Sequence, residues 1–278
     1  MEHLPIIDMH LHAFELMPGD TESLAGLRAP DTPEQYMRDT INLLEEFNIR
    51  AVTSGPKELV QQWHQAAPDR IIPGIFFSRP DEISLDWIEE ASGKGDLAVL
   101  GEIVTQLEGI PPNDPSLEPI FSLAERLDIP VGFHVGLGPQ AAAYDEYPKY
   151  RASLSNPLLL EDVLIRHPDM RLYVCHAAWP MLDEMIHLLY SHPQVYVDTG
   201  VIDWFLPKEE FYTYLKRIVN AGFGDRVMFG SDQMTWPQAI PRAIEAIETA
   251  DFISEDQKRD ILFENAARFL RLNKREVS

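Results

Sequence analysis

The chain is poor in cysteine, in basic charge and in long apolar runs. A single cysteine, Cys175, stands among 278 residues, which excludes an intramolecular disulfide framework and suits a reducing compartment. No apolar run approaches the roughly 18 residues of a membrane span, and no charged-then-apolar segment near the N-terminus resembles a signal peptide. A cytoplasmic protein with no membrane partner is therefore expected. Twenty-three basic side chains face 45 acidic ones, a formal charge of −22. That balance repels polyanions and argues against nucleic acid as the main partner. A solvated acidic surface is its simplest origin, and bound divalent cations would still make a site locally positive. Internal repeats, low-complexity tracts and linker-like shifts of composition are lacking too. With 45% hydrophobic residues the chain has ample material for a core, so disorder is excluded. One domain over residues 1–278 is expected.

What is present is a regular alternation. Short apolar runs that read as strands lie at 5–10, 49–53, 71–77, 97–103, 130–135, 171–176, 195–199 and 226–231. Amphipathic stretches separate them. Thr32-Pro33-Glu34 opens the first with an N-cap, a proline and an acidic first turn, and Tyr36, Ile41, Leu44 and Phe47 continue it at helical spacing. Others run near 57–67, 84–92, 116–127, 156–167, 181–191, 208–221, 237–249 and 259–272. Eight strand–helix pairs in series predict a parallel sheet, and over this length they close naturally into an α/β (β/α)8 TIM barrel. An open doubly wound sheet is the alternative. Residues 138–155, with Pro139, Tyr144, Tyr147, Pro148 and Tyr150, form the longest irregular stretch and are expected to border the barrel mouth.

Metal-competent side chains stand where these strands end. His10 and His12 are spaced i, i+2, so both imidazoles share one face of a strand. Glu102 follows Leu-Ala-Val-Leu-Gly, His134 ends Val-Gly-Phe-His, His176 ends Leu-Tyr-Val-Cys-His, and Asp232 ends Val-Met-Phe-Gly-Ser-Asp. Imidazole nitrogen and carboxylate oxygen suit zinc, manganese or a similar divalent ion. Singly, each has a blander reading: histidines pack or cap, and Asp232 stands ready to cap the helix near Pro237. Jointly they mark a mouth, because barrel enzymes draw catalytic groups from several C-terminal strand ends. His3, His64, His167, His187 and His192 do not follow this placement and read as exposed or capping residues. Gly136-Leu-Gly138-Pro139-Gln140-Ala141 matches a dinucleotide fingerprint, but Pro139 within the turn and Pro148 soon after deny it the required helix. It reads better as a permissive loop beside His134. Arg79 and Trp236 are the candidates for substrate binding, Arg79 as a bidentate partner for a carboxylate or phosphate. Trp204, Tyr144, Tyr147 and Lys149 are further rim candidates.

The run Ile-Ile-Asp-Met-His10-Leu-His12, together with Gly-Phe-His134, Cys-His176-Ala, Phe-Gly-Ser-Asp232 and the closing Ile-Leu-Phe-Glu-Asn265-Ala-Ala-Arg268-Phe-Leu, resembles the amidohydrolase superfamily, most closely its amidohydrolase-2 group. The resemblance covers nearly the whole chain and implies a distorted (β/α)8 barrel carrying divalent metal, with zinc the expected ion. It places His10, His12 and Asp232 on one ion and His134 and His176 on a second. Many relatives have a carbamylated lysine at the fourth strand; Glu102 stands there here, similar to the TatD-like branch, and its two oxygens can bridge two ions. A binuclear centre is expected. In the alternative, Glu102 orients a ligand, one ion is bound, and His176 does acid–base work. The expected activity is hydrolysis of a small ester, lactone, amide or phosphoester by a metal-activated water, with Asp232 as general base and then acid. The resemblance also admits a mononuclear nonoxidative decarboxylase of a small unsaturated or aromatic acid, a TatD-like phosphodiesterase or nuclease, or a binding protein on an inherited barrel. A homodimer is the base-rate expectation for assembly.

Overall fold

In the computed structural model, which describes residues 4–16 and 25–272, buried aliphatic runs form strands and capped amphipathic segments form the helices between them. In chain order come β1 (Ile6–His12), α1 (Pro33–Glu46), β2 (Ile49–Ser54), α2 (Lys57–Ala66), β3 (Ile71–Pro73), α3 (Leu85–Lys94), β4 (Leu100–Ile103), α4 (Glu118–Leu127) and β5 (Val131–His134). Then follow α5 (Glu161–Arg166), β6 (Leu172–Cys175), α6 (Leu182–Ser191), β7 (Val195–Asp198), α7 (Ile202–Phe205), α8 (Lys208–Ile218), β8 (Val227–Met228), α9 (Ala239–Glu248), α10 (Glu255–Arg259) and α11 (Asn265–Leu270). Among the described residues, no helix is long and apolar enough to cross a membrane.

Side-chain caps set the starts of α1, α3 and α10. Thr32 accepts from the Gln35 amide at 3.2 Å and Pro33 occupies the first turn of α1, a pairing that satisfies one of the free amides at a helix start. Ser254 and Gln257 form a capping box at α10, so the last helical segment begins at 255, earlier than the apolar periodicity suggests. The segment expected at 156–167 opens as a 3₁₀ turn over 157–160 before α5. The helix expected to reach 221 leaves regular α geometry after Ile218 and continues as a π turn. The short helix α7 has no periodic signature in the sequence. Strand runs are trimmed as well: the eighth keeps only Val227–Met228 in a regular ladder.

The chain divides into two compact units, one made of residues up to Pro73 with Asp198 onward, the other of Gly74–Val197. In the first, β1 pairs in parallel with β2 and β2 with β3, with Ile6 opposite Ile49 and Ala51 opposite Ile71. On the other edge of β1, the Met9 amide donates to Phe229 O at 2.8 Å and the Asp232 amide to His10 O at 2.6 Å. All seven residues of β1 are buried, as a parallel strand covered on both faces requires. Asn265 ties α11 to the eighth strand by donating to Val227 O at 2.7 Å. In the second unit β4, β5, β6 and β7 follow in order, with Leu100 opposite Val131, Val131 opposite Leu172 and Leu172 opposite Val195. Phe121 of α4 meets Phe133 of β5 with ring centroids 6.0 Å apart, each such buried ring stabilising by about 1.5–3 kcal/mol.

Candidate functional site

In the first unit, β1 ends on two imidazoles directed at one carboxylate. His10 and His12 share a strand face, and their Nε2 atoms lie 3.6 and 3.0 Å from Asp232 Oδ1. Asp232 is carried there by its own backbone, whose amide donates to His10 O and whose φ of +45° lies in the left-handed region. The rear of each ring is held. Asp198 Oδ2 lies 3.1 Å from His10 Nδ1, and Ser54 Oγ lies 3.0 Å from His12 Nδ1. Tyr36 and Gln233 both donate to His12 O, at 2.7 and 2.9 Å, which fixes the strand end itself. All these groups are buried. Two Nε2 atoms and one carboxylate oxygen, with the ring backs held by an acceptor and a hydroxyl, match a divalent metal site.

Deeper in the same unit, Asp8 accepts from the amides of His10 and Ser231, both at 2.9 Å. It braces the backbone at His10 and next to Asp232. Burial pushes the Asp8 carboxyl up to about 6, against the opposing hydrogen bonds from Ser231 and His10. Asp203 is likewise buried, and burial, with the charges of Asp8 and Asp198 adding to it, holds its carboxyl well above the usual range.

The second unit has its own donor set. The ligand atoms of Glu102, His134 and His176 all lie within 4.8 Å of one another. His134 ends β5 opposite Cys175 of β6, so His176, one residue further along, emerges beside it. His176 Nε2 is 3.2 Å from His134 Nδ1 and 3.5 Å from Glu102 Oε1, and His134 Nδ1 contacts Glu102 Oε1. His134 Nε2 lies 2.6 Å from Leu137 O. A carbonyl only accepts, so Nε2 carries the hydrogen and, in the neutral ring, Nδ1 turns its lone pair toward a carboxylate. Two lone-pair atoms face each other favourably when a cation or proton sits between them, and the donor set suits a divalent ion. The backbone that delivers His176 is strained: His176, Ala177 and Ala178 have φ of +57°, +46° and +57°, at about 1–3 kcal/mol each. Gly136, at φ +95°, admits that turn, for a Cβ there would fall 2.5 Å from Ala178 C. The glycine-rich loop therefore serves His134 through Leu137, and a 3₁₀ turn at 142–144 follows it in place of a nucleotide-binding helix.

Arg79 is half exposed and pairs with Asp81 and Glu82 at 3.3 and 3.1 Å. Trp236 stacks obliquely on Trp204 with centroids 6.5 Å apart. Among the described residues its Nε1 is a buried donor without a hydrogen-bond partner. Trp204 donates to Ser231 O at 2.6 Å. Tyr144 is 94% exposed, and Lys149 pairs with Glu108 at 3.1 Å. His167 and His192 cap α5 and α6, as expected of capping residues, but both are buried. His167 is clasped by Glu118 and Glu125 of α4 at 2.8 and 3.0 Å. His187 is exposed, His64 lies against Ile71 O, and His3 lies outside the described residues. Sequence reasoning missed Asp198 and Ser54. Both stand at strand ends, the same signal that located the six ligand candidates.

Known proteins supply an independent line. The sequence profile described as Amidohydrolase matches residues 7–272. A curated relative, protein fluG of Emericella nidulans, is 21% identical over 164 residues, 54% of this chain; the chain spans only 18% of that relative's length. Among solved structures, a TIM-barrel protein of Bordetella bronchiseptica, Bb4693, is similar at a TM-score of 0.72 and 20% identity over 96% of this chain and 99% of that one. A probable 2-pyrone-4,6-dicarboxylic acid hydrolase of Acinetobacter baumannii gives 0.68 and 17% over 97% and 100%. The 5-carboxyvanillate decarboxylase LigW2 of Novosphingobium aromaticivorans, with bound manganese, gives 0.65 and 13% over 97% of each. At these identities the likeness shows the fold: an α/β TIM barrel, as the strand–helix alternation leads one to expect.

Proposed function

Because the chain belongs to the amidohydrolase family, we propose that it is a metal-dependent hydrolase of a small ester, lactone, amide or phosphoester. The observation that supports this most is the pair of three-donor sets, His10, His12 and Asp232 in one unit and Glu102, His134 and His176 in the other. Six donors exceed what one four-coordinate ion takes, so the reading is binuclear, with one ion to each set and zinc as the metal. Bound ions supply Lewis-acid polarisation of the substrate oxygen and a lowered pKa for water. Asp232 presents Oδ1 to the imidazoles; its Oδ2 takes the proton from the attacking water and returns it to the leaving group. Trp236 offers its Nε1 to a substrate acceptor. Arg79 grips a substrate carboxylate once released from Asp81 and Glu82.

A second reading draws on the likeness to a decarboxylase. Here a single ion would be held by His10, His12 and Asp232, and His176 Nε2, 3.5 Å from Glu102 Oε1, would supply a proton. The carbon–carbon bond to the carboxylate breaks, carbon dioxide leaves, and that proton goes to the carbon left behind. Both enzyme relatives are named for small carboxylic acids, so one panel tests both readings. The zinc- or manganese-loaded protein is incubated with carboxylated lactones, esters and aromatic acids and the products are weighed by mass spectrometry. Gain of one water supports the hydrolase; loss of one carbon dioxide replaces it with the decarboxylase.

A further inference from the structure

The seventh strand ends on a carboxylate that the reaction just described does not use. Asp198 is fully buried, with Oδ2 3.1 Å from His10 Nδ1 and Oδ1 accepting the Gly200 amide at 2.8 Å. The two oxygens are thus committed to different partners. Two glycines fix the fit. A Cβ at Gly200 would lie 2.8 Å from His10 Nδ1 and 3.1 Å from Asp198 Oδ1, and one at Gly230 would lie 2.8 Å from His10 Cβ and 3.4 Å from Asp198 Cβ. Both approaches are closer than packed side chains accept, so the ring has little room to turn away from the carboxylate.

We propose that Asp198 is a positioning residue that selects the Nδ1–H tautomer of His10 and so turns its Nε2 lone pair toward the ion. The inference rests on the first donor set being a metal site. A carboxylate has no hydrogen to give, so the hydrogen between Asp198 and His10 belongs to Nδ1, and such partners set the orientation and basicity of a ligating imidazole. Thr199, the residue after Asp198, is itself anchored, for its Oγ1 donates to Asp203 Oδ2 at 3.0 Å.

The geometry separates this role from mere packing. In Asp198→Asn the Gly200 amide still demands an acceptor and retains the side-chain oxygen. The NH₂ group then faces His10 Nδ1. A donor there requires a lone pair on Nδ1, which sends the ring hydrogen to Nε2, the atom meant for the metal. The near-isosteric Asn should therefore damage metal binding more than Ala, which removes the contact without imposing a tautomer. A packing role predicts the reverse order.

The test is zinc affinity by chelator competition for the wild type, Asp198→Asn and Asp198→Ala, scored on the ion whose binding His12→Ala abolishes. It is joined to ¹⁵N imidazole spectra of the metal-free wild-type protein. Expected are a loss of about 10–100-fold in Asp198→Asn, a smaller loss in Asp198→Ala, and a wild-type His10 protonated on Nδ1. Equal affinity in wild type and Asp198→Asn overturns the inference alone. So does a wild-type His10 protonated on Nε2, a readout that needs no variant to fold. A wild type that binds no zinc at all overturns the metal reading and this inference with it.

Discussion

The two donor sets reach similar chemistry by different routes. In the first, both histidines come from one strand at i, i+2, and each rear nitrogen has a side-chain partner of its own, Asp198 and Ser54. In the second, the histidines come from the ends of neighbouring strands, and His134 is held by a backbone carbonyl, Leu137 O, with a left-handed turn delivering His176. The histidine rings of the first set are thus ordered by side chains, and their failures should be chemical. Those of the second are ordered by backbone, and their failures should be conformational.

The largest effect should come at the shared carboxylate of the first set. Asp232→Asn keeps the shape but removes the proposed base, and on that proposal turnover should fall about 100- to 10,000-fold with metal still partly bound; steady-state kinetics with near-normal turnover would remove Asp232 from that role. The glycines that frame each set test the contrast itself. Gly136→Ala meets backbone at 2.5 Å at a φ of +95° and should cost about 3 kcal/mol or more in denaturant melts, the sum of backbone strain and overpacking. Gly200→Ala presses mainly on side chains and should cost about 1–3 kcal/mol, with its main damage in metal affinity. If Gly136→Ala proved the milder of the two, the distinction between the sets would fail.

A pH series sharpens the first set further. Asp203 has a raised folded-state pKa, so the folded chain holds a proton that the unfolded chain releases. Its contribution to stability is full below the unfolded pKa of about 4 and declines as pH rises toward the folded value, by up to about 1.4 kcal/mol per pH unit. Asp203→Asn should flatten the dependence of melting temperature on pH above about 4, and an unchanged slope would contradict the protonated assignment. The smallest effect is expected from Ser54→Ala, which removes one hydrogen bond to His12 and should cost about 0.5–1.5 kcal/mol while weakening metal binding less than Asp198→Asn does.

Much of this was legible in the sequence because both periodicities are local. Apolar runs located all eight strands, and the ends of β1, β5 and β6 placed His10, His12, His134 and His176 where backbone geometry delivers them. The blind spots have physical causes. Asp198 is hard to single out because Val-Tyr-Val-Asp before Thr-Gly reads as a strand meeting a turn, although, like Asp232, it is a carboxylate at a strand end. Ser54 carries no metal signature, since its role exists only through His12, a residue 42 positions away. Arg79 reads as a partner for a carboxylate or phosphate because the local turn that gives it Asp81 and Glu82 is not visible in composition. The capping box at Ser254 and Gln257 was readable and fixes the start of α10 better than apolar spacing does.

Metal stoichiometry tests the central claim most directly. The protein is loaded with zinc, freed of excess, and analysed for metal per chain alongside Glu102→Ala and His12→Ala. Two equivalents in the wild type, falling to one in each variant, is the result that two separately built donor sets predict. One equivalent in the wild type, unchanged by Glu102→Ala, would contradict it.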